Sequence, residues 1–277
     1  MARRRVERVL TTRVTGTGAE RTEQRFPDRL IVEEPMSIRL DGTLVSTTMR
    51  TPGNDFELAV GFCFTEGLLA DAPVAGVKYC ADLTPADRLD PNDYNTVTVE
   101  TGGRAPEPTP RLGNVSSSCV WCGSDQLDEM CARLDPLPAQ PPIDLDVLMS
   151  VPDRVAAEQS LFAETGAVHG AAAFDRNGNV SLVREDVGRH NAVDKVVGAM
   201  VLGSAVPATG TGLFVSGRAS IEMVQKAWAA GFGTVLAMSA PTALAVDAAN
   251  RAGKQLAGFV RAQGFNVYTG QQQGGSR

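Results

Sequence analysis

The sequence has little of what marks secreted, membrane and nucleic-acid-binding proteins. It has five cysteines and two histidines in 277 residues, an odd and sparse set that does not describe a disulfide-stapled secreted domain. No uninterrupted apolar run has the length of a membrane helix, and no apolar segment follows the basic start at Arg3–Arg5, as a signal peptide would require. We therefore expect a cytoplasmic protein with no membrane partner, whose basic start is a solvated, frayed tail.

The overall charge is acidic, which excludes a chain-wide basic surface. The formal net charge is −6 and the pI is about 5.1, so we expect no nucleic-acid partner. Hydrophobic residues make up 43% of the chain, enough to bury a core in one large domain or two modest ones. Any anionic ligand would then need a local site.

The C-terminal half alternates strand and helix patterns. A hairpin is predicted around Asn177-Gly178, and three strand-to-helix junctions follow, after Leu182–Arg184, Leu213–Val215 and Val235–Met238. This order predicts an α/β fold, with a mixed sheet covered by helices on both faces. We divide the chain into a smaller strand-rich N-terminal subdomain (1–112), a cysteine loop with a short helix and a proline-rich connector (113–142), a C-terminal α/β cofactor-binding domain (143–270) and a disordered tail (271–277).

Local patterns add five expectations. Asp41-Gly42 predicts a hairpin turn, and Asn54 with Glu57 resembles a capping box that begins an amphipathic helix. A helix over 144–164 is expected to be interrupted near Pro152. Cys63 and Cys80 are interpreted as small buried hydrophobic residues.

The junctions combine small residues with side chains that can bind anions. Ligands of open α/β sheets bind at the carboxyl ends of strands, where helix N-termini offer free N–H groups to phosphate. No phosphate loop of the G-x-x-x-x-G-K-[ST] kind and no G-x-G-x-x-G fingerprint occurs, so nucleotide hydrolysis and nicotinamide binding lack their motifs. Ordinary capping and turn formation remains an alternative at each junction, as does a structural role for each histidine. Six hydrogen-bonding side chains nevertheless crowd one helix start, namely Asp186, Arg189, His190, Asn191, Asp194 and Lys195.

The chain also has a C-x-x-C pair, Cys119 and Cys122, in a serine-rich loop. Ser124 is a candidate N-cap, and a helix starting there would lower the thiol pKa values through its dipole. A structural zinc site needs four ligands, and the sequence has no second C-x-x-C or H-x-x-x-H motif. Cys131 is close by, but it falls on the apolar face of that helix. A thioredoxin-like pair would follow a strand directly, and this one follows proline-rich coil. The third chemistry is a sulfur carrier, in which one thiolate holds a persulfide.

Taken together, these motifs resemble the formate dehydrogenase accessory sulfurtransferase family, FdhD. The segments that carry the resemblance are Met49–Gly53, Gly61-Phe62, Thr65–Gly67, Ser117–Cys119, Cys122-Gly123, Thr165-Gly166, His169, Arg184–Lys195, Val215–Ser220, Glu222–Lys226, Ser239–Pro241, Gly258-Phe259 and Val267-Tyr268.

The resemblance implies a cytoplasmic homodimer with a cytidine-deaminase-like core. Such a protein takes sulfur from a cysteine desulfurase and passes it to the molybdenum cofactor, bis(molybdopterin guanine dinucleotide), for a formate dehydrogenase client. Cys119 would carry the persulfide and Cys122 would assist, while GDP would serve as a cofactor analogue. No zinc is implied, because Gly170-Ala171 follow His169 where a zinc deaminase needs x-Glu.

The residues expected to bind the cofactor come from the resemblance and from the junctions. The resemblance supplies Phe259, Val260, Arg261, Ala262, Gln263 and Gly264. The junctions and their neighbours supply His169, Asp186, Gly188, Arg189, His190, Asn191, Asp194, Lys195, Ser216, Arg218 and Ser239. Two alternatives stay open: a non-catalytic chaperone that binds the cofactor, and a dithiol oxidoreductase.

Overall fold

The fold consists of two sheets, a separate two-stranded ribbon and the helices between them. The computed structural model describes residues 4–79, 95–108, 128, 134, 137–261 and 263–270. Its strands are β1 (Val6–Thr15), β2 (Thr22–Ile31), β3 (Glu34–Leu40), β4 (Thr43–Arg50), β5 (Gly76–Tyr79), β6 (Thr96–Glu100), β7 (His169–Phe174), β8 (Val180–Asp186), β9 (Gly212–Val215), β10 (Thr234–Ala237), β11 (Gln255–Arg261) and β12 (Gly264–Thr269). Its helices are α1 (Asp55–Thr65), α2 (Leu145–Glu158), α3 (Ser160–Thr165), α4 (Arg189–Leu202), α5 (Ile221–Ala229) and α6 (Ala243–Arg251).

The larger sheet has six strands in the order β12-β11-β10-β9-β7-β8. Strands β9, β10 and β11 pair in parallel, whereas β7 runs antiparallel to both of its neighbours and β12 antiparallel to β11. Strands β8 to β11 therefore run in one direction, and their carboxyl ends meet at one edge of the sheet. We call this edge the carboxyl edge.

Helices cover both faces of this sheet. Successive strand residues point to opposite faces, so Leu213 packs with the buried residues of α4, α5 and α6, while Phe214 packs against α2. Neighbouring strands repeat the alternation at Val235 and Leu236. The α/β prediction with helices on both faces is confirmed.

The smaller sheet has the order β4-β3-β6-β5 and packs against α1. The predicted hairpin between β3 and β4 is confirmed, and its two turn residues, Asp41 and Gly42, have φ values of 46° and 90°. Cys63 is fully buried in the core between this sheet and α1, as expected. Cys80 lies outside the described residues.

Helices α1 and α4 cross closely enough to join the two sheets into one packed unit. A Cβ atom at Gly198 would lie 1.8 Å from the carbonyl oxygen of Glu57, and one at Gly61 would lie 1.8 Å from that of Asp194. No side chain fits at either position, because each glycine faces backbone of the other helix. The N-terminal part is thereby fixed against the helix that begins at the carboxyl edge.

The prediction of a frayed basic tail was wrong. From Val6 onward the chain forms β1, which pairs with β2 over their full length around a turn at Gly16 and a 3-10 turn, Gly18–Glu20. Val6, Val9 and Val14 favour a strand, and they outweigh the local charge density that led to the prediction.

Two predictions at helix ends need correction. Asn54 precedes α1 in a left-handed conformation with no side-chain cap, and Glu57 pairs with Arg184 at 2.5 Å instead of closing a capping box. The expected interruption of the helix over 144–164 exists, but it falls at Gln159, between α2 and α3. Pro152 lies inside α2 and is buried.

Length and polarity rule out a membrane-crossing helix anywhere in the described part of the chain.

Candidate functional site

The predicted cofactor residues that the structure describes lie along or next to the carboxyl edge. Strand β8 ends at Asp186, β9 ends directly before Ser216, and β10 ends at Ala237, two residues before Ser239. The turn from β11 to β12 lies at the same edge and contains Gln263. His169 begins β7 there, because β7 runs opposite to β9.

A cluster of polar groups forms where β7, β9 and α4 meet. The hydroxyl of Ser216 accepts a hydrogen bond from the Gly170 N–H at 3.0 Å and lies 3.4 Å from His169 Nδ1. A Cβ at Gly217 would lie 3.4 Å from Arg189 Cδ and 3.7 Å from His169 Nδ1. The missing side chain at Gly217 leaves the histidine and the arginine next to bare backbone, which a ligand can approach closely.

Phe259 is strained and exposed at the far end of the same edge. It has a φ of 56°, and its side chain is 46% exposed. Its N–H donates to the Ser239 carbonyl at 3.2 Å, and the pairing of β11 with β12 is irregular just after Gly258. A left-handed conformation costs about 1–3 kcal/mol for such a residue and is found mainly at ligand sites. The strain presents an aromatic ring beside the loop after β10.

Three polar atoms near the first two junctions are buried without a hydrogen-bond partner among the described residues. They are Arg189 Nε, His190 Nε2 and Ser220 Oγ. Ser220 is the N-cap of α5, yet its hydroxyl makes no capping bond. Unsatisfied buried polar groups cost about 1–3 kcal/mol each, so three in adjacent segments favour a site completed by a ligand.

Both histidines are held in the neutral form. Burial, with the nearby charges of Lys226 and Arg189, lowers the pKa of His190 to about 4. Burial and Arg189 also lower the pKa of His169 from its ordinary value. At neutral pH each imidazole can therefore accept a hydrogen bond at one nitrogen and donate one at the other.

Three of the predicted residues form a buried clamp. Lys195 Nζ lies 2.7 Å from Asp186 Oδ2, and Asn191 Nδ2 donates to Asp186 Oδ1 at 3.0 Å. The clamp holds Thr51, whose N–H donates to Asp186 at 3.2 Å and whose carbonyl accepts from Lys195 at 3.0 Å. Gly188 joins it through its N–H, which donates to Asp186 at 2.8 Å. These side chains fix the first junction to the N-terminal part of the chain.

Asp194 is likewise engaged inside the protein. Its carboxylate accepts from Lys226 Nζ at 2.9 and 3.0 Å and from the Thr65 hydroxyl at 2.8 Å. Glu66 lies 3.2 Å from Lys226. Burial alone would lower the pKa of Lys226, but these two carboxylates outweigh it and raise the pKa above its ordinary value. The pair ties α4 and α5 to the end of α1.

The remaining predicted residues have varied surroundings. Arg218 and Gln263 are exposed, and Val260 is fully buried in the core under α2. The Arg261 guanidinium donates to the carbonyls of Met238 and Val260. Gly264 begins β12. Ala262 lies outside the described residues.

Cys119, Cys122 and Cys131 lie outside the described residues, as does most of the helix predicted after Ser124. Cys63 is the free cysteine that the structure does describe. Burial, with Asp194 second, raises the pKa of its thiol to about 12, which keeps Cys63 protonated and unreactive. No group of three or more His, Cys, Asp or Glu side chains in the described ranges is placed to hold a metal ion.

Comparison with known proteins identifies the family. The model of the FdhD/NarQ family matches residues 31–274. The chain belongs to the FdhD/NarQ family. Its relatives include the sulfur carrier protein FdhD of Streptomyces coelicolor, which is 45% identical over 252 residues covering 88% of each chain. The protein of the same name from Nocardia farcinica is 44% identical over 272 residues, covering 97% of this chain and 93% of its own.

A solved structure shares the FdhD/NarQ fold seen here. A protein from Desulfotalea psychrophila, described as a formate dehydrogenase accessory protein, superposes with a TM-score of 0.70. The match covers 95% of this chain and 96% of the other at 24% sequence identity. At that identity it supports the fold alone.

The sequence did not reveal the structural roles of Thr51, Thr65 and Ser220 in this FdhD/NarQ protein. Thr51 and Thr65 lie in segments that carried the family resemblance, but nothing local showed that they contact helix α4 through Lys195 and Asp194. Ser220 is a common N-cap residue, so its type alone predicts a capped helix. Only its unpartnered hydroxyl marks it as a candidate ligand contact.

Proposed function

We propose that this protein is a sulfur carrier that supplies sulfur to the molybdenum cofactor of a formate dehydrogenase. The proposal rests on family membership and on Cys119 and Cys122, the pair expected to be reactive. The Cys119 thiolate attacks the outer sulfur of the persulfide on a cysteine desulfurase. A new S–S bond forms at Cys119, the donor's S–S bond breaks, and the donor cysteine leaves as a thiolate. Cys122 then assists release of this sulfur to the acceptor.

The carboxyl edge is proposed to hold the acceptor, the guanine dinucleotide form of the cofactor. The single observation that carries this assignment is the set of buried atoms without partners at Arg189, His190 and Ser220. Arg189 offers a positive charge and a planar donor group for phosphate. Bare backbone at Gly217 allows close approach, and the exposed ring of Phe259 offers a surface on which a purine can stack.

The clamp residues act on this site indirectly. Asp186, Asn191 and Lys195 use their polar atoms to hold Thr51 and Gly188. They position the start of α4, and with it Arg189 and His190, without touching the cofactor themselves. Asp194 acts in the same way through α5.

Replacing Phe259 by alanine is expected to weaken the binding of GDP. Stacking of a base on an aromatic ring contributes about 1–3 kcal/mol, so the dissociation constant measured by calorimetry should rise about tenfold. Phe162→Ala is the matched control, because Phe162 is 50% exposed and lies on α3. GDP affinity that is equal in both variants and the parent would count against a guanine site at this edge.

The second candidate is a chaperone that binds the cofactor without carrying sulfur. The observation that favours it is the site itself, since the carboxyl edge needs no thiol to bind a nucleotide. A chaperone would keep GDP affinity and show no sulfur adduct on either cysteine after incubation with a desulfurase.

A further inference from the structure

The ribbon of β1 and β2 is incomplete as a sheet. Its strands pair from Val6 with Ile31 to Thr15 with Thr22 and join no other strand in the part of the chain that the structure describes. A two-stranded ribbon alone is marginally stable in water. Four of its apolar side chains are at least 40% exposed, namely Val9, Leu10, Val14 and Leu30.

One edge of the ribbon is closed and the other is open. Pro27 lies in the middle of β2, opposite Leu10. Because proline has no N–H, these two residues form a non-hydrogen-bonded pair, and the missing donor of Pro27 leaves a gap on the outer edge of β2. Arg29 on β2 is also held to Glu164 of α3 at 3.0 Å. Strand β1 has no proline, and no ion pair joins it to a helix among the residues that the structure describes.

The open edge of β1 has a fixed set of backbone groups. Since Leu10 does not exchange hydrogen bonds with Pro27, its N–H and C=O point away from β2, and so do those of the other even-numbered residues of β1. Glu7 and Arg13, with odd numbers, direct their backbone groups toward β2. A strand added to this edge would therefore bond to the even-numbered residues, and the odd-numbered side chains would lie in the closer, non-hydrogen-bonded pairs.

The sequence of β1 is complementary to itself in one antiparallel register. With the two-fold axis at Leu10, Leu10 faces its own copy, Val6 faces Val14, and Glu7 faces Arg13 twice, once on each side of the axis. Among the symmetric antiparallel registers, only this one places Glu7 directly opposite an arginine of β1 itself. An axis at Arg8 would instead oppose two arginines, which is unfavourable.

We propose that a second copy of this chain pairs its β1 with β1 in this register, so that two ribbons form a four-stranded sheet across a two-fold axis. The new pairing satisfies the outward backbone groups of β1 and covers Leu10 and its neighbours. The guanidinium carbon of Arg13 lies 4.3 Å from the centre of the Phe26 ring, and this contact positions Arg13 on the same face of the ribbon as Glu7. The surface is formed by residues that take no part in the candidate site at the carboxyl edge.

Charge reversal tests this pairing, with the full chain studied by sedimentation velocity and native mass spectrometry. The parent is expected to be a dimer. Glu7→Arg and Arg13→Glu each turn two attractive pairs into repulsive ones, so each dimer dissociation constant should rise about tenfold or more. An equimolar mixture of the two variants restores both attractive pairs and should form mixed dimers as tight as the parent.

Glu23→Arg on β2 is the matched control, because it reverses the same charge on the closed side of the ribbon and should leave the dimer intact. Both tested residues are exposed, and circular dichroism of each variant confirms that it is folded. A monomeric parent, equal dimerisation of all variants, or a mixture that stays monomeric would each overturn the proposed pairing. None of these results depends on sulfur transfer or on nucleotide binding.

Discussion

Replacing Lys226 by methionine is expected to destabilise the protein by about 3–5 kcal/mol, because it leaves a buried carboxylate without its cation. Asp194 is 2% exposed, and its remaining partner is the hydroxyl of Thr65. Burial raises the pKa of Asp194, so the carboxyl group is expected to take up a proton in the variant. Urea unfolding followed by circular dichroism measures the change.

Two further variants show whether the charge pair causes the effect. Adding Asp194→Leu to Lys226→Met removes both charges and should recover most of the lost stability, since apolar pairs can replace buried ion pairs. Lys78→Met removes a lysine that is 45% exposed and paired with Glu100, and should cost less than about 1 kcal/mol. Equal losses in Lys226→Met and Lys78→Met would show that the buried pair does not hold α1, α4 and α5 together.

Gly198→Ala is expected to be the second strongly destabilising change. The new Cβ would lie 1.8 Å from the Glu57 carbonyl oxygen and must push α1 away from α4. Overpacking costs about 1–3 kcal/mol and more where backbone must move, which exceeds the gain of about 1 kcal/mol from alanine in a helix. We expect a net loss of about 3 kcal/mol, measured by the same unfolding assay.

Gly203→Ala is the control for this substitution. Gly203 follows the same helix, and its Cβ would approach the Ala199 carbonyl oxygen at 3.2 Å. The expected change is below about 1 kcal/mol. A Gly198→Ala protein as stable as the parent would mean that the two helices do not cross as closely as described.

The sequence predicted the C-terminal sheet well because its signals are local. Periodicity located the strands before Ser216 and Ser239 and the helices that follow them. Because the carboxyl ends of parallel strands meet at one edge of a sheet, the same periodicity also predicted where the candidate site lies. The turns at Gly178 and at Asp41-Gly42 were predicted correctly for the same reason. Glycine adopts a positive φ at no steric cost, so the residue type alone indicates such a turn.

What the sequence did not predict depends on contacts between distant segments. Asp186, Asn191 and Lys195 were expected to bind a ligand because they crowd a helix start. The structure engages them with Thr51, which lies more than a hundred residues earlier in the chain. The unpartnered atom of Ser220 is equally invisible in sequence. Strand β1 was missed because its apolar residues do not alternate regularly and charged residues separate them, so its pairing with β2 has no clear local signal.

The most direct test of the sulfur-carrier account is the mass of the protein after incubation with a cysteine desulfurase and cysteine. We predict one added sulfur atom, mapped by peptide mass spectrometry to Cys119 and removed by a thiol reductant. Cys119→Ser should lose this adduct while keeping its GDP affinity and its unfolding free energy. An unmodified Cys119 and Cys122, in a folded protein that still binds GDP, would contradict the carrier function and leave the chaperone.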